Sequence, residues 1–307
     1  MELNKILDLA IIKAETEAKP EIKSGYKVDS REEPYENYLD NNSWNIFVNK
    51  MKEENPAAYR RYGSGGGKEL EERKVGKNIY PPKMASFGSS SRMIYNLAKD
   101  TDYFFFEEKL PTVVGGMANL DGFMETEDKC IFVEAKCREP YSKKTSIVDR
   151  NYEKLYEYIS NSTKTSLVCQ TEDLKNPQKN AKKMKTIFLY DGKKINHFDI
   201  KQMICHLLGV AHEFLRGYSD IKKIKFIYLL FNPNLIDIDD SKEKIHKIYN
   251  ETCDECNLID FKALFDVVVE YLLTLSHHKW ENATLSDAIV DNFNFALVDQ
   301  ASFIEKL

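Results

Sequence analysis

Residues 224–231 read Ile-Lys-Phe-Ile-Tyr-Leu-Leu-Phe, an almost unbroken apolar run that Pro233 stops. The run is short and β-branched at its start, which favours a strand over a helix. A strand with one wet face alternates, whereas a continuous one is buried on both faces, so this segment predicts a buried central strand. The chain must then supply partner strands and covering helices. Residues 118–124 and 130–137, separated by polar Glu125-Thr126-Glu127-Asp128-Lys129, read as a β-hairpin, and aromatic-rich residues 103–110 as a third strand. Residues 198–216 form an amphipathic pattern with Ile200, Ile204, Leu207, Leu208, Ala211 and Leu215 on one broad face. Before the strands, Ser89-Ser90-Ser91 supplies a serine cap for a helix through Ala98.

The resulting order is helix, three strands, helix, strand, with helical additions at both ends. It predicts an α/β (α+β) fold with a mixed central sheet flanked by helices. Residues 1–87 read as a mainly helical N-terminal region, residues 88–235 as the core, and residues 236–307 as a helical C-terminal extension. Within residues 1–87, the glycine-rich stretch 63–67 reads as a flexible connection and the charged run 68–77 as a short helix. Residues 138–194 form an insertion with a helix near 150–159, a strand at 184–190 and a lysine-rich loop at 175–183.

Charge separates the insertion from the rest. The 307-residue chain has a net charge of -5, not the basic balance of a protein that coats nucleic acid non-specifically. Residues 138–194 nevertheless hold thirteen Lys or Arg against seven Asp or Glu. No apolar stretch approaches the roughly 20 residues of a membrane span. The N-terminus lacks signal-peptide character and six cysteines are ordinary, so the expectation is a cytoplasmic protein with reduced thiols and no membrane association.

The hairpin concentrates the chemistry. With a turn centred between Glu127 and Asp128, Asp121 falls opposite Glu134, Phe123 opposite Phe132 and Asn119 opposite Lys136. Alternation sends Glu134 and Lys136 to one face and Ile131, Val133 and Ala135 to the other. Opposed carboxylates repel across strands. Either one carboxyl keeps a proton, or a hard divalent cation sits between them. Two carboxylates for Mg²⁺ and an ammonium to orient water and neutralise charge on phosphorus suit metal-assisted phosphodiester hydrolysis. Glu-x-Lys alone also occurs on solvated sheet faces; the cross-strand Asp121 and the apolar neighbours distinguish this hairpin.

Asp121, followed after a short hairpin by Glu134-Ala135-Lys136, resembles the PD-(D/E)xK nuclease superfamily, the restriction-endonuclease-like fold. The likeness spans residues 89–233 and includes Lys201-Gln202 on the later helix. It implies Mg²⁺-dependent hydrolysis of DNA, less often RNA, with Mn²⁺ able to substitute. Asp121 and Glu134 would hold the metal, and Lys136 would stand beside the attacking water. A third carboxylate commonly belongs to such sites; Glu108 is preferred here over Glu107, with Glu69, Glu71 and Glu72 further away and Glu139 at the rim. The family's Pro-Asp pair is Leu120-Asp121 in this chain. The insertion makes the third strand to helix spacing long, and its basic residues are where substrate-backbone contacts are expected.

The remaining motifs carry less. Gly63 to Lys68 fails as a phosphate loop because Tyr62 occupies the first glycine position and Glu69 replaces the magnesium-binding hydroxyl, so no nucleotide cofactor is expected. Cys253 and Cys256 lack two further zinc ligands. His206 and His212 are six apart and form no zinc-binding pair. The leading expectation is a DNA-cleaving metal-dependent endonuclease, with restriction or defence ahead of repair or junction processing. An inactive nucleic-acid-binding module and a helical interaction protein are the alternatives, and a homodimer is compatible with both the nuclease and the interaction readings.

Overall fold

The computed structural model describes residues 3–29, 31–64, 69–141, 147–174, 182–217, 222–238, 241–276 and 278–307. The N-terminal part contains α1 (Leu3–Ala18), β1 (Ser24–Tyr26), β2 (Tyr35–Leu39), α2 (Asn41–Glu54), α3 (Pro56–Ser64), β3 (Arg73–Val75) and β4 (Asn78–Tyr80). The middle follows with α4 (Ser90–Ala98), β5 (Phe104–Pro111), β6 (Met117–Glu125) and β7 (Lys129–Lys136). Next come β8 (Ile147–Asp149), α5 (Glu153–Asn161), β9 (Leu167–Asp173), β10 (Lys183–Tyr190), β11 (Lys193–Lys194), α6 (Ile200–Leu215) and β12 (Lys223–Leu230). The chain closes with α7 (Lys242–Leu258), α8 (Phe261–Leu273), α9 (Ser286–Asp291), β13 (Phe293–Val298) and α10 (Phe303–Lys306).

The architecture is mixed α/β. Five strands in the order β13-β12-β7-β6-β5 form the central sheet. β5, β6 and β7 meander antiparallel, while β12 runs parallel to both β7 and β13. The 224–231 run becomes β12, next to β7, and Ile224 and Phe226 to Leu230 are almost completely buried. Its alternate side chains feed two separate apolar clusters. Ile224, Phe226 and Tyr228 join α6 and α8; Ile227 and Leu229 join α1 and α4. The sheet therefore has helices on both faces, which is what a continuous apolar strand requires.

α6 is held close to the sheet at Gly209. A Cβ there would lie 2.8 Å from Ala118 Cβ and 3.0 Å from Leu110 Cβ. The missing side chain lets the helix approach β5 and β6, which sets how far residues one turn earlier reach toward β7. At the other helix, the Ser89 hydroxyl caps α4 by accepting from the Arg92 N–H at 3.2 Å.

Three segments depart from expectation. Residues 73–80 form a hairpin, β3 with β4, in place of the charged helix; Gly76 turns it at φ 62°. Its spacing offered no apolar helical face, and a glycine in a turn served a strand pair instead. β1 and β2 likewise put an antiparallel pair inside the region expected to be helical. β13 lies in the C-terminal part and extends the sheet beside β12. Parallel pairing is non-local, so a six-residue segment gave little sign of it. The insertion builds its own antiparallel sheet: β10 pairs with β9 along its length and with β8 and β11 at its two ends. Most of the lysine-rich loop and of the glycine-rich connection, residues 175–181 and 65–68, lies outside the described residues. Among the described residues no helix is long and apolar enough to cross a membrane.

Candidate active site

Where β6 leaves β7, a cleft of about 510 Å³ opens between the sheet, the start of α4 and residues 69–88. The hairpin register is the expected one, with Phe123 opposite Phe132 and Gly122 opposite Val133. The ladder stops there. Asp121 would be next, and its side chain takes over: Asp121 Oδ2 accepts the Ala135 N–H at 2.8 Å. Side chain thus replaces main chain at the point where the strands separate, satisfying a buried donor and fixing the carboxyl. Asp121, Glu134 and Lys136 all line the cleft.

Glu134 and Lys136 sit on the α6 face of β7 and are 1% and 6% exposed. The Lys136 ammonium donates to Glu134 Oε1. On the other side, His206 Nε2 from α6 lies 2.9 Å from Glu134 Oε2, within ion-pair range. Burial alone would raise the Glu134 carboxyl, but Lys136 and then His206 outweigh it and hold its pKa below the usual value. Burial would likewise lower Lys136, and Glu134 reverses this to keep the ammonium charged. Asp121 behaves oppositely. Burial, then the Glu134 charge, pushes its pKa well above the ordinary carboxylate range despite Lys136 and the Ala135 N–H. Burial and neighbouring charge thus push the two opposed carboxyls in opposite directions, Glu134 toward the anion and Asp121 toward the protonated acid.

Of the two neighbouring acids, Glu107 lines the cleft and Glu108 does not. Glu108 turns toward Arg61, with Oε2 3.4 Å from Nη1, and does not line the cleft. Glu107 does line it, at φ 57°, a left-handed conformation uncommon for a non-glycine residue. The cause is a switch of faces. Phe104 and Phe106 pack in the α4 cluster and Leu110 in the α6 cluster, although simple alternation would put all three together. β6 switches at the same level: Leu120 belongs to the α6 cluster, while a Cβ on Gly122 would strike Phe104 and Ile94. Glu107 and Asp121 lie between the pairs Phe106–Gly122 and Glu108–Leu120. The strained residue re-aims its carboxylate into the cleft at a cost of about 1–3 kcal/mol.

Glu69 and Glu139 also border the cleft, whereas Glu71 and Glu72 do not. Lys83 pairs with Glu69 at 2.8 Å. Glu139 Oε1 accepts the Ser90 hydroxyl at 2.6 Å, and its Oε2 accepts the Cys137 N–H at 2.9 Å. Burial, then the Glu69 charge, pushes Glu107 up to about 7. Between the ordinary value of 4.5 and about 7, the folded chain binds more protons at Glu107 than the unfolded chain. Stability from this group must fall as pH rises through that window and stay level above it. Glu107→Gln, which imitates the neutral acid, is therefore expected to stabilise the protein by about 2–3 kcal/mol at pH 8 and by under about 1 kcal/mol at pH 5. Urea denaturation at both pH values checks this; an equal change at both would contradict the assignment.

Gln202 faces the cleft, but its neighbour Lys201 reaches away to the Ile147 carbonyl. His206 was absent from the sequence-based site. The available signal was Gln202 and His206 four residues apart, placing two polar groups on one side of the helix. Cys253 and Cys256 both lie in α7 as free thiols.

The acid set can be tested against a hard divalent cation. Asp121, Glu134 and Glu107 offer oxygen donors of the kind Mg²⁺ prefers, and burial with neighbouring charge pushes the carboxyls of Asp121 and Glu107 upward in pKa. A cation would relieve that repulsion. Among the described residues, however, no three His, Cys, Asp or Glu side chains form a ready metal-binding group. Glu134 directs its oxygens to Lys136 and His206, so binding there requires these partners to share it. No protein-family model, curated protein or solved structure matches the chain.

Proposed function

We propose that the chain is a Mg²⁺-dependent nuclease of the PD-(D/E)xK type, hydrolysing phosphodiester bonds in DNA. The observation that supports it most is Asp121 anchored on the Ala135 N–H beside the buried Glu134–Lys136 pair, in a cleft open to a ligand. The order α4, β5, β6, β7, α6, β12, with β12 parallel to β7, supports a restriction-endonuclease-like core.

Asp121 and Glu134 would hold the cation, with Glu107 as the third carboxylate. A bound divalent cation supplies Lewis-acid polarisation and a more acidic water. The protein's own contribution is positional. Ala135 fixes Asp121, while Lys136 and His206 fix Glu134 from opposite sides. The Lys136 ammonium, kept charged in a buried setting, can hold the attacking water and offset negative charge growing on phosphorus.

Incubation of wild-type protein with DNA in Mg²⁺ or Mn²⁺, against an EDTA control, tests this reading. Cleavage that requires the metal is expected. Cleavage that persists in EDTA would overturn it, as would none on single-stranded, duplex and branched substrates. One observation favours a second reading, a nucleic-acid-binding module without turnover: both Glu134 oxygens are already occupied, one by the Lys136 ammonium and the other by the His206 ring. DNA binding without cleavage in either metal would select it.

A further inference from the structure

We infer that the cleft takes its nucleic acid as an unpaired strand, and not as continuous duplex. This rests on the nuclease reading and specifies its substrate. The Glu134 and Lys136 side chains are 2% and 8% exposed. They are approached through a space of about 510 Å³. That volume lies in the range of about 300–1,000 Å³ typical of small-ligand pockets. Proteins that grip duplex DNA instead lay about 1,000–2,500 Å² of surface along it. A phosphodiester can reach groups at this depth only if its sugars and bases follow it inward. Stacked, paired nucleotides resist that, and an unpaired strand does not.

The walls agree with this picture. One is the N-terminal segment with Tyr38, Arg73 and Lys83; the other is the end of the sheet with Lys109 and Asn119. Lys83 is committed to Glu69, and Lys136 to Glu134. Arg73 and Lys109 are in no ion pair among the described residues: Arg73 Nε donates to the Pro81 carbonyl, and its guanidinium lies 5.8 Å from the Tyr80 ring centre. Two cations outside any ion pair among the described residues, on the two walls of a narrow cleft, suit the phosphates on either side of one strand.

Three substrates of matched sequence test the inference: a linear single strand, a blunt duplex and a relaxed, covalently closed duplex circle. In Mg²⁺ the single strand is expected to be cut at least about tenfold faster than the circle. Equal or faster cutting of the circle would overturn the inference while leaving the nuclease reading intact. If no substrate is cut, the nuclease reading fails, and fluorescence anisotropy in EDTA decides the inference alone. Tighter binding of the single strand than of the duplex, weakened about tenfold by Arg73→Ala/Lys109→Ala at an unchanged melting temperature, supports it. Equal binding of both forms, or a double variant that binds like wild type, overturns it.

Discussion

Glu134→Gln, with Lys136 left in place, is expected to cost the fold about 3–5 kcal/mol. Lys136 is an ammonium buried to 6% exposure, and Glu134 is the largest influence keeping it charged. Glutamine fits the same space and still offers an oxygen, but it carries no charge to offset the desolvation of the ammonium. His206, 2.9 Å from Glu134 Oε2, would face an uncharged amide as well. The expected loss thus belongs less to a broken contact than to the buried charge left behind. That distinction gives a second prediction within the same series: Glu134→Gln/Lys136→Met should recover more than half of it, because the stranded ammonium is gone. Urea denaturation of the two single variants and the double variant reads the cycle. A Glu134→Gln loss under about 1 kcal/mol, or no recovery in the double variant, would show that Lys136 does not depend on Glu134.

Asp121→Asn should separate folding from function. Burial and the Glu134 charge push the Asp121 carboxyl toward its protonated form, which asparagine nearly copies. The amide oxygen can still accept the Ala135 N–H that Oδ2 accepts at 2.8 Å. Stability is expected to change by less than about 1 kcal/mol. Asparagine cannot become the anion that a cation would stabilise, so metal-dependent cleavage is expected to fall by about 10²–10³-fold. A fully stable variant with wild-type cleavage would remove Asp121 from the chemistry. A variant that unfolds would instead show that the carboxyl is structural.

Much of this site was legible from residue patterns because it lies on a hairpin with one apolar face. Ile131, Val133 and Ala135 pack in the α4 cluster as alternation demanded, and Phe123 stands opposite Phe132. Those pairs fix the register, and register brings Asp121 to Glu134. The central strand was readable for the same reason, being apolar on both sides. Glu107 was not readable. Its place depends on a left-handed residue that breaks alternation, and no period-two pattern marks where a strand will switch faces. The sequence offered Glu107 and Glu108 side by side, and the left-handed turn at Glu107 is what separates them. His206 was weighed in the sequence only against His212 as a zinc pair; the approach of α6 to the sheet at Gly209 is what brings it to Glu134. β13 needed a partner far away in the chain before its apolar positions took on meaning.

The most direct test of the carboxylate site is a Mg²⁺ and Mn²⁺ titration by calorimetry, comparing wild type with Asp121→Asn, each alone and with a single-stranded oligonucleotide. Saturable binding to wild type that weakens by at least about tenfold in Asp121→Asn, at unchanged melting temperature, is the predicted result. Indistinguishable isotherms for the two proteins, with or without the oligonucleotide, would contradict a cation held by Asp121 and Glu134.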